Sequence, residues 1–390
     1  MSASNTVWRI SLADLDFGAE EEAAVLDVLR SKWLTMGART EAFERQFADA
    51  TGARHAIALS NCTAALHLAL VAAGVTAGDE VIVPALTFVA TANAVLYTGA
   101  TPVFADVTGP HRLHLDPDDV ARKVTPRTRA IVPVHYGGYP CDMAPLLALG
   151  ERHGLTIVED AAHAPGARWQ GRPIGSIGDA TCFSFFSNKN LSTGEGGMIT
   201  TEDDAIAASV RLHRSHGMTT LTYDRHRGHA FSYDVVSAGY NYRLTEIQAA
   251  LGVVQLAKLE RNNARRRALV GEYRRRLSGI AELTVPFDGM DGDSSCHILV
   301  VVLPAGTDRE SVQQAMKQHG IQTSVHYPPV HRFTNFRGRF DAHVPAVDRL
   351  APRLLTLPLH PLMSIDDVQM VTTALQTSLL ATPAATRDRH

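Results

Sequence analysis

Short apolar runs without polar alternation recur along the first half of the chain, separated by longer stretches in which apolar positions return at helical spacing. The runs fall at Ala56–Leu59, Glu80–Pro84, Pro102–Asp106, Ala130–Val134, Leu155–Glu159 and Ala180–Phe185. Continuous apolar runs of this length fit strands buried on both faces. Most of the gaps have room for a crossover helix, so the fold class expected is α/β, a mostly parallel sheet covered by helices on both faces. Two helices are expected ahead of the sheet, around Ala19–Leu29 and Glu41–Ala50.

A long helix is announced by Thr245-Glu246-Ile247-Gln248, which reads as a capping box, with Ile247, Leu251, Val254 and Leu259 as its apolar stripe. It is expected to lead into a smaller carboxy-terminal α/β domain holding the run His297–Leu303 and the turn Val325–Pro329. The division expected is a large domain over 1–255 that includes the amino-terminal segment, a small domain over 256–380, and a frayed polar tail over 381–390. The triplets Arg265-Arg266-Arg267 and Arg274-Arg275-Arg276 read as a solvated face of the long helix. Residues 213–233 are rich in histidine, arginine and tyrosine and poor in aliphatics, a length of loop that is either functional or disordered.

Composition narrows the function. A net charge of −3 provides no field to draw the chain to nucleic acid or a membrane surface. No run of about eighteen apolar residues is present and Met1–Ile10 lacks a basic-then-apolar signal, which together imply a cytoplasmic protein. Cys62, Cys141, Cys182 and Cys296 show no paired spacing for a metal, so no metal is expected and the thiols read as reduced and mostly buried.

The chemistry is concentrated in three segments. Phe183 to Gly197 places Lys189 at the end of an apolar strand, inside a small, polar, glycine-rich turn. An ammonium there is costly to desolvate, and a lysine kept in such a place has a lowered pKa and a chemical task such as Schiff-base formation; the plain alternative is a solvated lysine at a strand end. Leu155 to His163 reads as a buried strand ending in Asp160 with His163 three residues on. Carboxyl ends of strands line the ligand crevice in open α/β sheets. An anion to keep a pyridine nitrogen protonated and an amine to hold an aldehyde are what pyridoxal phosphate requires, although Asp160 alone could cap a helix. Ser60-Asn61-Cys62-Thr63, between a strand and an alanine-rich helix, fits an anion site, with plain N-capping as the alternative.

These segments, with Pro84–Thr91 and Gly239-Tyr240-Asn241-Tyr242-Arg243, resemble the DegT/StrS-type family of pyridoxal phosphate-dependent sugar aminotransferases. The resemblance runs from about Trp33 to the helix after Pro358 and implies the aspartate aminotransferase-like fold type I. It implies Lys189 as the Schiff-base lysine, Asp160 as partner of the pyridine nitrogen and His163 as contact to the ring hydroxyl. Phe88 would stack on the ring, while Ser184 and the backbone at Cys62 and Thr63 would hold the phosphate. Asn241 would reach the phosphate of a neighbouring subunit, which makes the active unit a homodimer or larger, with the 213–233 segment in the interface. Arg243, His326, Tyr327 and Arg332 are candidates for holding the donor carboxylates or the sugar.

The implied reaction moves an amino group from a donor, glutamate in most of the family, to a keto group of a nucleotide-linked sugar, with pyridoxamine phosphate formed between the two halves. A free keto sugar or keto-cyclitol of antibiotic biosynthesis is the other acceptor considered. A dehydratase of the same fold would carry histidine at position 189, and a non-catalytic cofactor-binding regulator would lack one of the matched residues. One departure stands out: the family's phosphate turn often reads Ser-Gly-Thr, whereas this chain has Asn61 and Cys62, which restrict the backbone more than glycine does.

Overall fold

The computed structural model describes residues 8–220, 223, 228, 232–340 and 342–381. Seven strands form the central sheet: β1 (His55–Leu59), β2 (Glu80–Pro84), β3 (Thr101–Ala105), β4 (Thr128–Ile131), β5 (Thr156–Asp160), β6 (Ala180–Ser184) and β7 (Gly197–Thr201). Their order is β1-β7-β6-β5-β4-β2-β3. β7 alone runs antiparallel to its neighbours β1 and β6, and the pairings among β2 to β6 are parallel. All five residues of β2, β6 and β7 are buried, as sheet strands covered on both faces must be.

The sequence runs anticipated six of these strands to within three residues, β2 without any difference, and missed β7. Gly197-Met198-Ile199-Thr200-Thr201 opens in a glycine-rich turn and closes on two threonines, so it carries too short an apolar signal to stand out. Helices Ala19–Ser31 and Ala38–Thr51 lie where helices were expected, the first longer at its carboxy-terminal end and the second at both ends.

The long helix, Glu246–Leu277, starts as read: Thr245 accepts the Gln248 amide through its side chain, and Gln248 accepts the Thr245 amide at 2.9 Å. Its apolar stripe is as read only at Leu259, which is buried. Ile247, Leu251 and Val254 are half-buried, and the buried face runs through Ala249, Ala250, Gly252, Leu259, Leu269, Val270 and Tyr273. Gly252 packs on the Phe43 ring, where a methyl group would stand 2.6 Å from a ring carbon. Polar residues share this face, so hydropathy alone misplaced the stripe.

The arginine triplets are corrected in part: Arg275 is exposed and pairs with Glu272 on the helix surface, as read, while the others are half-buried or buried. Arg266 is buried, and its guanidinium donates to the carbonyls of His297 (3.1 Å) and Leu359 (2.8 Å). Arg265 donates to Met363 O, and Arg274 to the carbonyls of Val285 and Pro286. A long helix that must hold irregular segments needs donors for their unpaired carbonyls, and arginine supplies five in a fixed fork.

The carboxy-terminal part holds a two-stranded antiparallel pair, β8 (Leu299–Val302) with β9 (Leu354–Leu357), and the helices Arg309–Gln318 and Ile365–Ala381. The amides of Arg9 and Ile10 donate to Gly320 O, and Gln322 N to Ile10 O, so the amino-terminal residues dock on this part rather than on the large sheet. We propose a boundary inside the long helix near 255, with residues 9–12 assigned to the smaller unit. The tail beyond 381 and most of 221–231 lie outside the described residues. No helix among the described residues is long and apolar enough to cross a membrane, and the four cysteines are buried and unbridged.

Candidate active site

The carboxyl ends of β1, β5 and β6 open on a cavity of about 700 Å³. Nine of the residues singled out in the sequence line it: Cys62, Thr63, Phe88, Asp160, His163, Ser184, Lys189, His326 and Tyr327. Sheet register brings the first group together. Gly197 pairs with Leu59 on one side and Ser184 on the other, so the hydroxyl of Ser184 and the turn after Leu59 end up beside each other.

Asp160 closes β5. Its Oδ2 accepts from the Thr91 hydroxyl at 2.8 Å and its Oδ1 from the Ala162 amide at 3.1 Å. Burial raises this carboxyl above the ordinary aspartate value, and those two hydrogen bonds and the Lys189 charge offset only part of the effect. Glu159, one residue earlier on the opposite face, shows the contrary balance. Burial raises it too, but hydrogen bonds from His135, Thr181 and Gly178 reverse the effect and hold it below the ordinary glutamate value. The His135 ring receives the Cys141 amide at Nδ1, so its Nε2 carries the proton donated to Glu159 at 2.9 Å. A fully satisfied carboxylate thus lies beneath the site, and one with spare acceptor capacity faces the cavity.

Lys189 sits in a tight turn, its amide donating to Phe186 O at 2.8 Å. Burial lowers its ammonium to about 8, with nearby Asp160 pulling the other way. The imidazoles and the phenol around it are neutral. His163 receives the Gly137 amide at Nδ1 (3.2 Å), so Nε2 carries the proton that reaches Tyr327 Oη at 2.8 Å. Burial and then the Lys189 charge push the His163 imidazole well below its ordinary value, and push His326 to about 4. Burial, with Asp160 adding to it, holds the Tyr327 phenol well above its own.

At the turn after β1, Asn61 caps the helix Cys62–Ala72, its Oδ1 accepting the Ala64 amide at 2.8 Å. The amides of Cys62 and Thr63 open that helix and have no intrahelical acceptor, which makes them donors for an anion. Asn61 has φ −170, which is ordinary extended backbone, and no residue from Ser60 to Thr63 has positive φ. The missing glycine therefore costs this turn nothing.

The glycine that matters is Gly197: a β-carbon there would stand 2.4 Å from Asn61 C, 2.5 Å from Asn61 O and 2.7 Å from Cys62 N. Backbone cannot give way as a flexible side chain can. Gly197→Ala is expected to displace the turn, weaken cofactor affinity at least tenfold, and cost about 1–3 kcal/mol of stability. Cofactor titration and urea denaturation measure the two effects.

Phe88 stands at the start of the helix Val89–Tyr97, 54% exposed, with its ring 5.7 Å from that of Tyr327. Asn241 is exposed and outside the cavity of its own chain, bridged to Ser215. Arg243 is half-buried and also outside it, its guanidinium lowered by burial and then by Arg214. Arg332 is half-exposed and engaged with Asp348 at 2.6 Å, so the structure does not bring it to the cavity. Sequence reasoning missed Thr91, Asn190 and His297. Thr91 was visible inside a quoted motif, and Asn190 beside the lysine; His297 stood out as the one polar residue opening an apolar run.

An amine of lowered pKa, a buried carboxylate and free helix amides lining one cavity are the set that pyridoxal phosphate requires, and they define a pyridoxal phosphate-dependent aminotransferase of fold type I. The chain belongs to the DegT/DnrJ/EryC1/StrS aminotransferase family, which it matches over residues 16–376. It is 44% identical over 367 residues to the spore coat polysaccharide biosynthesis protein SpsC of Bacillus subtilis (strain 168), covering 92% of this chain and 94% of that protein. Among solved structures it is similar to DesV of S. venezuelae in complex with a ketimine intermediate, with TM-score 0.85 and 37% identity over 93% of this chain and 94% of that one. It is similar also to DesI in the presence of its TDP-sugar product, with TM-score 0.86 and 34% identity over 97% and 94%.

Proposed function

We propose that this protein transfers the amino group of L-glutamate to the keto group of a nucleotide-linked deoxysugar, as a cytoplasmic homodimer whose active sites are shared between subunits. The observation that carries the reading is the convergence of Lys189, Asp160, Ser184 and the helix start at Cys62 on one cavity. DesI, solved with a TDP-sugar product, supports the acceptor class.

The residues present fit the cofactor. Lys189 Nζ is the amine for its aldehyde, Asp160 the anion for its ring nitrogen, Phe88 the ring to stack on it, and His163 Nε2–H a donor for its hydroxyl. Ser184 Oγ and the amides of Cys62 and Thr63 suit its phosphate, and Asn241, exposed outside its own cavity, is free to serve the neighbouring one. When bound, the cofactor supplies an aldehyde to take the amine and a ring to withdraw electrons. Asp160 holds a proton on the ring nitrogen. Lys189 Nζ, freed when the donor amine takes its place, would take the proton from the donor α-carbon and deliver it across the transferred nitrogen to the carbon on its other side. Three neutral imidazoles and a neutral phenol around Nζ leave Lys189 as the group that changes charge near neutral pH. His326 and Tyr327, both on the cavity wall, are assigned to the substrate, with Arg243 as an outer contact; Arg332 is not.

The test is incubation with nitrogen-labelled glutamate and a panel of TDP-linked keto sugars, free keto sugars and keto-cyclitols, with products read by mass. Label in a nucleotide-linked sugar is expected. Label in a free sugar or cyclitol alone would overturn the acceptor, and label in none the reading as a whole.

A further inference from the structure

Among the described residues, the recorded hydrogen-bond partner of Lys189 Nζ is Nε2 of His297, 3.5 Å away. What that nitrogen offers is fixed by a chain of contacts. Asn190 is buried, and its amide nitrogen donates to Ser295 O at 2.7 Å and to Asn263 Oδ1 at 2.8 Å. A backbone carbonyl only accepts, so the amide cannot be turned the other way. Asn190 Oδ1 is therefore left to face His297 Nδ1 at 2.9 Å, and Nδ1 must carry the proton. A neutral imidazole has one N–H, so Nε2 presents a lone pair to the lysine.

The ring is held firmly. The His297 amide donates to Gly137 O at 2.8 Å, and its carbonyl accepts from the buried Arg266. Gly138 makes room for this segment: a β-carbon there would stand 2.2 Å from Ser295 Oγ and 3.0 Å from His297 N. Burial, then Lys189 and His163, keep the imidazole well below its ordinary value, so it is an acceptor at neutral pH.

An amine attacks and abstracts protons through its lone pair, so its N–H bonds must point elsewhere. We propose that His297 is the positioning residue of Lys189: Nε2 accepts an N–H from Nζ and so aims the amine lone pair into the cavity, in the tautomer that Asn190 dictates. The assignment rests on the aminotransferase reading and adds a residue to it. The 3.5 Å separation fits a contact that tightens as the site fills.

The test compares wild type, His297→Phe and His297→Gln. In cofactor-free protein, the pH dependence of Lys189 acylation is read by peptide mass, which is simple to assign in a chain with five lysines. The phenylalanine variant loses an acceptor for the ammonium, so its midpoint shifts down, and glutamine restores part of the shift. In cofactor-loaded protein, the glutamate half-reaction slows about 10–100-fold in His297→Phe with half-saturation unchanged, and His297→Gln keeps most of the rate. A midpoint unmoved and a rate within about twofold of wild type would overturn the proposal. If the phenylalanine variant does not fold, nitrogen NMR of labelled histidine in wild type decides: a proton on Nδ1 of His297 supports the assignment and one on Nε2 overturns it. Failure of wild type to bind the cofactor would count against the aminotransferase reading alone, because acylation and NMR need no cofactor.

Discussion

Lys189→Ala is expected to fold and to lose about 10⁴-fold or more in turnover, because no other group on the cavity wall combines an amine with a titration near neutral pH. The same variant carries a stability signature. In cofactor-free wild type the ammonium titrates at about 8 instead of the ordinary 10.5, so between those values the unfolded chain binds more protons than the folded one. Stability then rises with pH across that window, and the cost of the buried charge is fully present below it. Alanine removes the cost. Without cofactor, Lys189→Ala should be more stable than wild type at pH 7, and the gap should close as pH rises from about 8 to 10.5. Urea denaturation at several pH values measures it. Equal stability at all pH values, or retained transamination, would contradict the placement of the amine.

Asp160→Asn is expected to cost roughly 10²–10⁴ in turnover. The amide is nearly the same size and can keep a hydrogen bond with Thr91 or Ala162, so the loss reports the charge rather than the shape. Without a carboxylate the ring nitrogen loses the anion that keeps it protonated. Steady-state kinetics should show the loss in kcat, with cofactor affinity reduced far less. An unchanged kcat would mean that the ring nitrogen has another partner.

Strands were legible in the sequence where burial on both faces erased polar alternation, as in Val81-Ile82-Val83, and the parallel sheet followed from the gaps between them. β7 was not legible, because a strand that opens at a glycine turn and closes on buried threonines has no local signature; its partners β1 and β6 specify it. The long helix was read from its cap correctly and from its stripe only at Leu259. Gln255, Lys258, Asn263 and Arg266 are buried on it because they satisfy loop carbonyls and carboxylates elsewhere in the chain, and that information is not local.

The site shows the same division. Asp160 and Ser184 sit at strand ends and Lys189 in the turn that follows one, where sequence pattern has meaning, and the structure brings them to one cavity. Arg332 was one of four candidates for holding the donor carboxylates or the sugar, yet Asp348 already holds it. The contact between His297 and Asn190 became visible only in three dimensions, since 107 positions separate the two side chains that share the hydrogen bond.

The central claim is that Lys189 holds the cofactor. The most direct test is to reduce the purified, pyridoxal phosphate-treated protein with borohydride and locate the resulting stable adduct by peptide mass. The account predicts one stoichiometric adduct, on Lys189. No adduct, or one spread over Lys32, Lys123, Lys258 and Lys317, would contradict it.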